Sequence, residues 1–542
     1  MGDRSPRRVR GTLRHPPHGP KGGVPHHRGR QGVLEQGIRH RGHGTPLLLR
    51  VRPSQPQQGL AGRHRGKRRC RPRVSQGGFP GRGTAPPGAL PKQPVLRRVA
   101  DVDTARGVLP DDARRAHEAI RAGLVSALAL CGGPKTRRVL FPPYPVIGEA
   151  ERRAVLEVLD EGRLSTFIAS PGAQFLGGHR IRQFEQEFGE FHGARFAVAF
   201  NSATAALHAA VIGCGIAPGE EVIVPPYTFT STATCALMHG AIPVFADVDE
   251  ETFCLDPKAL EAVISPRARA VIPVHLFGQP ALMDELQQVA RRHRLRVIED
   301  CAQAPAATYK GTRVGVLGDC GVFSFQETKN LMTGEGGMLV TNDASIAEIA
   351  RLVRNHGEAA VSPGEARSYK AEILGWNYRM TEFEAALGRC QLRQLPEQNR
   401  ARQRLAAHLT RALGGLPGLR VPPLREGCEH VYYVYPLLYD ASVWGIPRAR
   451  FLEAVGAEGI PISGGYVKPL YLSPLYQERR AWAFRAYRGD VSYAEGICPV
   501  AERLHRETML LIAVVRPPAT EDDMDDIAAA IWKVWEHRKE LT

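Results

Sequence analysis

Lys329 is a single lysine between an apolar run and a glycine-rich turn, Gly334-Glu335-Gly336-Gly337, in the segment FSFQETKNLMTGEGGMLVT (323–341). A lysine withdrawn from water gives up its proton more readily, and a neutral amine is the nucleophile that forms a Schiff base with a carbonyl. A solvated surface lysine beside a turn fits the same residues. Asp300 ends a strand-like run in RVIEDCAQAPAAT (296–308), with Gln303 three residues on. A carboxylate there could keep the nitrogen of a pyridine ring protonated, so that the ring acts as an electron sink, and Gln303 could hydrogen-bond a ring hydroxyl. A helix N-cap is the other role open to Asp300. In FNSATAALHAA (200–210), Ser202, Thr204 and the free N–H groups of a starting helix could hold a phosphate, or Ser202 could simply cap it. In VPPYTFTSTATCAL (224–237), Tyr227 and Phe229 could stack on an aromatic ring or pack in a core. Each signal is weak alone. Their order along the chain is what counts: phosphate turn, stacking aromatic, strand-end aspartate, lysine, glycine turn.

The elements that must position these residues alternate. Short apolar runs at 195–200, 221–224, 242–246, 270–275 and 296–299 read as strands, with helical spacing at 147–162, 203–212 and 283–293. That alternation predicts an α/β fold with a mostly parallel sheet covered by helices, whose ligands sit at the carboxyl ends of the strands. A long helical stretch, 381–414, leads towards a smaller C-terminal α+β domain with a strand at 431–439 and a last helix at 521–538. The expected division is an extension (1–126), a large domain (127–394) and a small domain (395–542).

The chain of 542 residues is 43% apolar, enough for two or three domains. No run of eighteen apolar residues predicts a membrane span, and no secretory signal is read at the start. Ten cysteines lie singly without metal-ligand spacing, so no metal is expected and a reducing, cytoplasmic setting is. The net charge of +17 is misleading, because residues 1–100 hold 23 basic and 2 acidic residues. The rest is mildly acidic and gives no reason to invoke nucleic acid. The first hundred residues are rich in Arg, Gly, Pro and His, contain one aromatic residue (Phe79), and cannot bury enough apolar surface to order themselves. They lack Asn and Tyr and hold three Lys and one Ile, a bias against AT-rich codons. This favours a misassigned start over a basic arm or a solvated, functionless extension.

From LALCGGPKTR (128–137) onward, the motifs EDCAQA, FSFQETKNLMTGEGG and LGWNYRMTEFEAALGRCQL resemble, in order and spacing, the DegT/DnrJ/EryC1/StrS sugar aminotransferases. The resemblance implies a type I pyridoxal-phosphate fold and an enzyme that transaminates a keto-sugar, nucleotide-linked in many members, or a cyclic ketone, with glutamate or glutamine as amino donor. It makes Lys329 the cofactor-binding lysine and proton shuttle, and Asp300 the partner of the pyridine nitrogen. Gln303 takes the ring hydroxyl, Phe229 rather than Tyr227 stacks on the ring, and Thr204, the Ala205 amide and Ser324 hold the phosphate. Asn377 reaches the phosphate of a second subunit, so a homodimer is expected. Gln326 replaces the His of many nucleotide-sugar members, which is more similar to members acting on cyclitol ketones such as scyllo-inosose, or making 3-amino-5-hydroxybenzoate. Tyr466 and Lys468 are possible acceptor contacts. A regulator carrying an aminotransferase-like domain would need a winged-helix pattern near its N-terminus, and residues 1–100 show no amphipathic helix.

Overall fold

Short runs of apolar residues make the central sheet because both of its faces are covered. In the computed structural model, which describes residues 127–167, 173–358 and 370–542, seven strands form this sheet. They are β1 (Phe196–Phe200), β2 (Glu221–Val224), β3 (Ile242–Phe245), β4 (Ala268–Val271), β5 (Arg296–Asp300), β6 (Cys320–Ser324) and β7 (Gly337–Thr341), in the order β1-β7-β6-β5-β4-β2-β3. Pairings among β2 to β6 are parallel, and β7 runs antiparallel to both β1 and β6. The carboxyl ends of β1, β2, β4, β5 and β6 therefore share one edge, and β7 starts there. The expected extension (1–126), with its helix-like end, lies outside the described residues.

Helices cover the sheet: α1 (Glu149–Glu161), α2 (His179–His192), α3 (Ala203–Gly213), α4 (Ser231–Met238), α5 (Met283–His293) and α6 (Ala344–Arg354). Their starts follow capping chemistry: Ser202 accepts from the Ala205 amide, and Asp343 from the Ser345 and Ile346 amides. The long helix α7 (Glu382–Leu413) opens with a capping box between Thr381 and Glu384. It is continuous through 394/395. Ala385, Leu392 and Leu395 belong to one core with Phe184, Phe188, Phe323 and Phe325, whereas Leu405, Leu409 and Leu413 belong to another.

That second core lies under an antiparallel sheet of β8 (Leu419–Arg420), β9 (Tyr435–Tyr439), β10 (Ile462–Gly464) and β11 (Met509–Ile512), in the order β8-β9-β11-β10. Helices α8 (Arg448–Ala457) and α9 (Glu521–Glu536) pack with it. The strand expected at 431–439 begins only at Tyr435. Tyr432 has φ 46°, a left-handed conformation, and Val431 and Tyr433 instead donate to the carbonyls of Gly278 and Phe277.

The segment before α1 is strapped to this small sheet. Glu458 accepts from the Ala129 amide (2.8 Å), the Thr136 amide and hydroxyl (2.9 and 2.8 Å) and Lys533 (3.0 Å). Burial opposes its charge, yet these donors hold its carboxyl below the usual range. Lys533 also donates to the Pro134 carbonyl, and Arg137 pairs with Asp523 and Asp526, each at 2.7 Å.

Candidate active site

Asp300 ends β5 on the shared edge of the sheet and is 4% exposed. One carboxylate oxygen accepts from the Thr232 hydroxyl at 2.8 Å, the other from the Ala302 amide at 3.1 Å. No helix follows, so the N-cap role does not apply. Burial pushes its pKa up, while Thr232, Ala302 and the charge of Lys329 pull the other way. Among the described residues no basic side chain lies within ion-pair distance of it. A buried carboxylate without a cation is an expensive arrangement unless something else brings the charge.

The residues around Asp300 keep it in place. Its neighbour Glu299, wholly buried, accepts from the amides of Gly315, Leu317 and Gly318 and from His275 Nε2 (3.0 Å). His275 Nδ1 accepts from the Ala281 amide, so Nε2 carries the proton. His275, Glu299 and Cys301 cluster closely enough to suggest a metal, but both ring nitrogens of His275 and both oxygens of Glu299 are already committed. The cluster is a clamp on the end of β5.

Gln303 is 3% exposed; its Oε1 accepts from the Phe277 amide at 2.8 Å, and its Nε2 donates to the Tyr466 hydroxyl at 2.9 Å. The second Nε2 proton remains for a ligand. Tyr466 is thus tied to Gln303, and its own amide donates to the Tyr227 hydroxyl at 2.7 Å. Tyr227 is fully buried, whereas Phe229 in the same loop is 58% exposed and offers a ring face. The Phe229 carbonyl accepts from the Thr232 amide, which links that face to the residue holding Asp300. Lys468 is exposed.

At the start of α3, the Ala205 amide, expected to face a phosphate, is engaged by Ser202 Oγ at 3.1 Å. The Ala203 and Thr204 amides have no acceptor among the described residues, and Thr204 is half-buried. Gly337 brings the glycine turn flush against this helix start, for a Cβ there would lie 2.5 Å from the Ala203 nitrogen. Gly337 pairs with Phe200 on one side and with Ser324 on the other. Ser324 is therefore delivered beside the helix start, where open amides, a serine hydroxyl and the helix dipole favour an anion.

Lys329, half-buried, lies on the loop between β6 and β7, its Nζ 4.3 Å from the centre of the Tyr433 ring. Gln326 shapes that loop: its Oε1 accepts from the Thr328 amide (3.0 Å) and hydroxyl (2.6 Å), and Thr328 meets the Tyr433 hydroxyl at 2.8 Å. Asn377 is exposed, its Oδ1 accepting from Arg379 Nε at 2.9 Å. Sequence reasoning missed Thr232, Tyr433 and the bond from Tyr466 to Gln303. The Ser/Thr-rich start of α4 was the one local signal for Thr232.

These residues fit a phosphorylated pyridine cofactor. The donors at α3 match its phosphate, and the buried, cation-free Asp300 matches a pyridinium nitrogen. The fold and this edge define a class, the type I pyridoxal-phosphate aminotransferases. Residues 163–532 match the model of the DegT/DnrJ/EryC1/StrS aminotransferase family, and the chain belongs to that family, an enzyme whose cofactor is pyridoxal 5'-phosphate. It is 37% identical over 402 residues to the spore coat polysaccharide biosynthesis protein SpsC of Bacillus subtilis, covering 73% of this chain and 97% of that protein. It is 38% identical over 429 residues to the L-glutamine:2-deoxy-scyllo-inosose aminotransferase of Streptomyces fradiae, covering 77% of this chain and 100% of that one. An aminotransferase structure from Psychrobacter cryohalolentis superimposes with a TM-score of 0.66 at 33% identity, over 74% of this chain and 100% of that one.

Proposed function

We propose that the protein transfers an amino group from glutamine or glutamate to the ketone of a polyhydroxylated ring, a keto-sugar free or nucleotide-linked, with Lys329 and Asp300 as catalytic residues. The observation that carries the site assignment is the buried Asp300 carboxylate with no cation within ion-pair reach among the described residues. Bound at this edge, pyridoxal 5'-phosphate supplies an electron-withdrawing ring that acidifies the Cα–H of an attached amino acid. Asp300 holds the proton on the ring nitrogen. Lys329 Nζ would hold the cofactor covalently and, once displaced by the incoming amino group, would move the proton to and from the substrate carbon. Gln303 Nε2 donates to the ring hydroxyl, Phe229 covers one ring face, and Thr204, Ser324 and the open Ala203 and Thr204 amides bind phosphate, with the Ala205 amide shared between the phosphate and Ser202 Oγ.

The amino donor rests on relatives whose names specify L-glutamine. A second reading of the acceptor is a cyclitol or related cyclic ketone. Several inosose aminotransferases match over essentially their whole length, and the family resemblance puts Gln326 where many nucleotide-sugar members have His. Asn377 completes the phosphate site of a second subunit. The exposed apolar residues Leu156, Leu159 and Leu374 are consistent with a covered face in such a homodimer. The nine described cysteines are unpaired, Cys214 and Cys320 even at 3.9 Å, which suits the reducing cytoplasm. No helix among the described residues is long and apolar enough to cross a membrane.

Borohydride reduction of the holoenzyme followed by peptide mapping should find the cofactor on Lys329, and Lys329→Ala should abolish turnover. Mixing Lys329→Ala with an inactive Asn377 variant should restore partial activity in hybrid dimers. Half-reactions with nucleotide-linked keto-sugars and with inososes identify the acceptor, and turnover confined to simple α-keto acids would refute both readings.

A further inference from the structure

Lys329 sits on a loop, outside any strand or helix, so something must fix its backbone. Inside the loop its amide donates to the Gln326 carbonyl at 2.9 Å. Its carbonyl accepts from the Tyr144 hydroxyl at 2.5 Å, across 185 residues of sequence. Tyr144 is itself held. Arg402, on α7, donates from Nη2 to the Tyr144 hydroxyl at 3.2 Å and from Nη1 to the Tyr432 carbonyl at 3.4 Å. The Arg516 guanidinium lies 3.9 Å from the centre of the Tyr144 ring.

Arg402 is 1% exposed, makes no ion pair among the described residues, and its Nε has no partner. Burial pulls its pKa down to about 10. A buried guanidinium without a carboxylate costs stability, and such a group is better explained by a task than by folding. Its hydrogen bond to the phenol oxygen draws electron density from the O–H and strengthens the bond that Tyr144 donates.

We infer that Tyr144 is a positioning residue for Lys329, held in register by Arg402 and Arg516, and that this relay sets where the lysine amine stands relative to Asp300. The inference rests on the reading of Lys329 as the cofactor-binding lysine. Tyr144→Phe removes the hydroxyl and keeps the ring that stacks under Arg516, so the fold is retained while the relay is cut.

The test follows the rate at which cofactor-free protein attaches pyridoxal 5'-phosphate, read by absorbance, with the attachment site fixed by borohydride and peptide mapping. If the wild-type protein does not attach the cofactor at Lys329, the reading beneath the inference fails. Given attachment there, Tyr144→Phe should slow it by about tenfold and lower kcat similarly, the loss of one hydrogen bond. KM for the amino donor should stay within about twofold and the thermal midpoint within a few degrees. Arg402→Met should slow attachment too, and the double variant should be no slower than the worse single one, since both break one relay. An unchanged attachment rate in Tyr144→Phe overturns the inference, as does a loss wholly accounted for by unfolding at the assay temperature.

Discussion

At the scale of the residue, Asp300 sets stability against activity. Among the described residues its buried carboxylate has no cationic partner within ion-pair distance, and in the function proposed above the cofactor would bring one. Asp300→Asn keeps an oxygen for the Ala302 amide and removes the buried charge. The cofactor-free variant should melt higher than cofactor-free wild type, by an amount of order 1 kcal/mol. The same change should lower turnover on the order of 10²-fold, the usual cost of one preorganised electrostatic partner. Calorimetry of the cofactor-free proteins and steady-state rates decide it; a variant that is less stable and equally active would refute the role given to Asp300. Three buried histidines make a second residue-scale prediction. Burial depresses His192 and His430 to about 3 and His208 to about 4, all below the unfolded value of 6.5. Their contribution is complete above pH 6.5. As pH falls, the unfolded chain takes up protons that the folded chain refuses, so stability drops by roughly 4 kcal/mol per pH unit for the three together until the folded values are approached. His430→Gln should remove about a third of that slope in denaturant titrations between pH 6 and 4.5, and an unchanged slope would mean that His430 is already charged in the fold.

Elements explain what the sequence made legible and what it did not. Apolar runs bounded by polar residues marked β1 to β5 to within a few residues, and helical spacing marked α1, α3, α5 and α7, because burial imposes those periods locally. The strand expected at 431–439 starts four residues late, since the left-handed Tyr432 that diverts it to Phe277 and Gly278 has no signature in residue type. Asp300 and the helix start at Ser202 stood out because each sits at a strand end, and Lys329 because it stands alone ahead of a glycine-rich turn. Tyr144, Arg402 and the bond from Tyr466 to Gln303 did not, for the partners lie 185, 258 and 163 residues away and nothing nearby reports the pairing. Helix α7 carries two such hidden contacts on one face. Three residues before Arg402, Asn399 accepts from Asn330 Nδ2 at 3.1 Å and donates to the Pro305 carbonyl at 2.9 Å. It therefore staples the segment after Lys329 to the segment after Gln303. Asn399→Ala leaves the Pro305 carbonyl buried and unpaired, and should cost about 1–3 kcal/mol. Weaker cofactor retention on dialysis should accompany the loss; a lower melting point with unaltered retention would confine the staple to stability.

The whole molecule depends on a strap from its own early residues. The family match begins at residue 163, yet Leu128 is fully buried and residues 129–137 fill the donor and acceptor needs of Glu458, Lys533, Asp523 and Asp526. Deleting residues 1–126 should leave the melting point and cofactor binding unchanged, because every strap contact survives. Deleting residues 1–138 removes Thr136 and Arg137 and strips Glu458 of most of its donors, and should destabilise by about 3–5 kcal/mol, the range for breaking a buried charge network. Thermal melts of the two truncations separate the cases, and equal melting points would show that the strap carries no load.

That strap also sets an order of events during synthesis. Pro134 and Lys533 are 399 residues apart, so at roughly 5–20 residues per second the early segment waits on the order of 20–80 s for the lysine that fastens it. Until α9 is made, Leu128 lacks the part of its core that α9 supplies, and the Lys533 side of the clasp cannot close. Trigger-type chaperones that shield emerging apolar segments should therefore be found on the nascent chain early, and leave it only near termination.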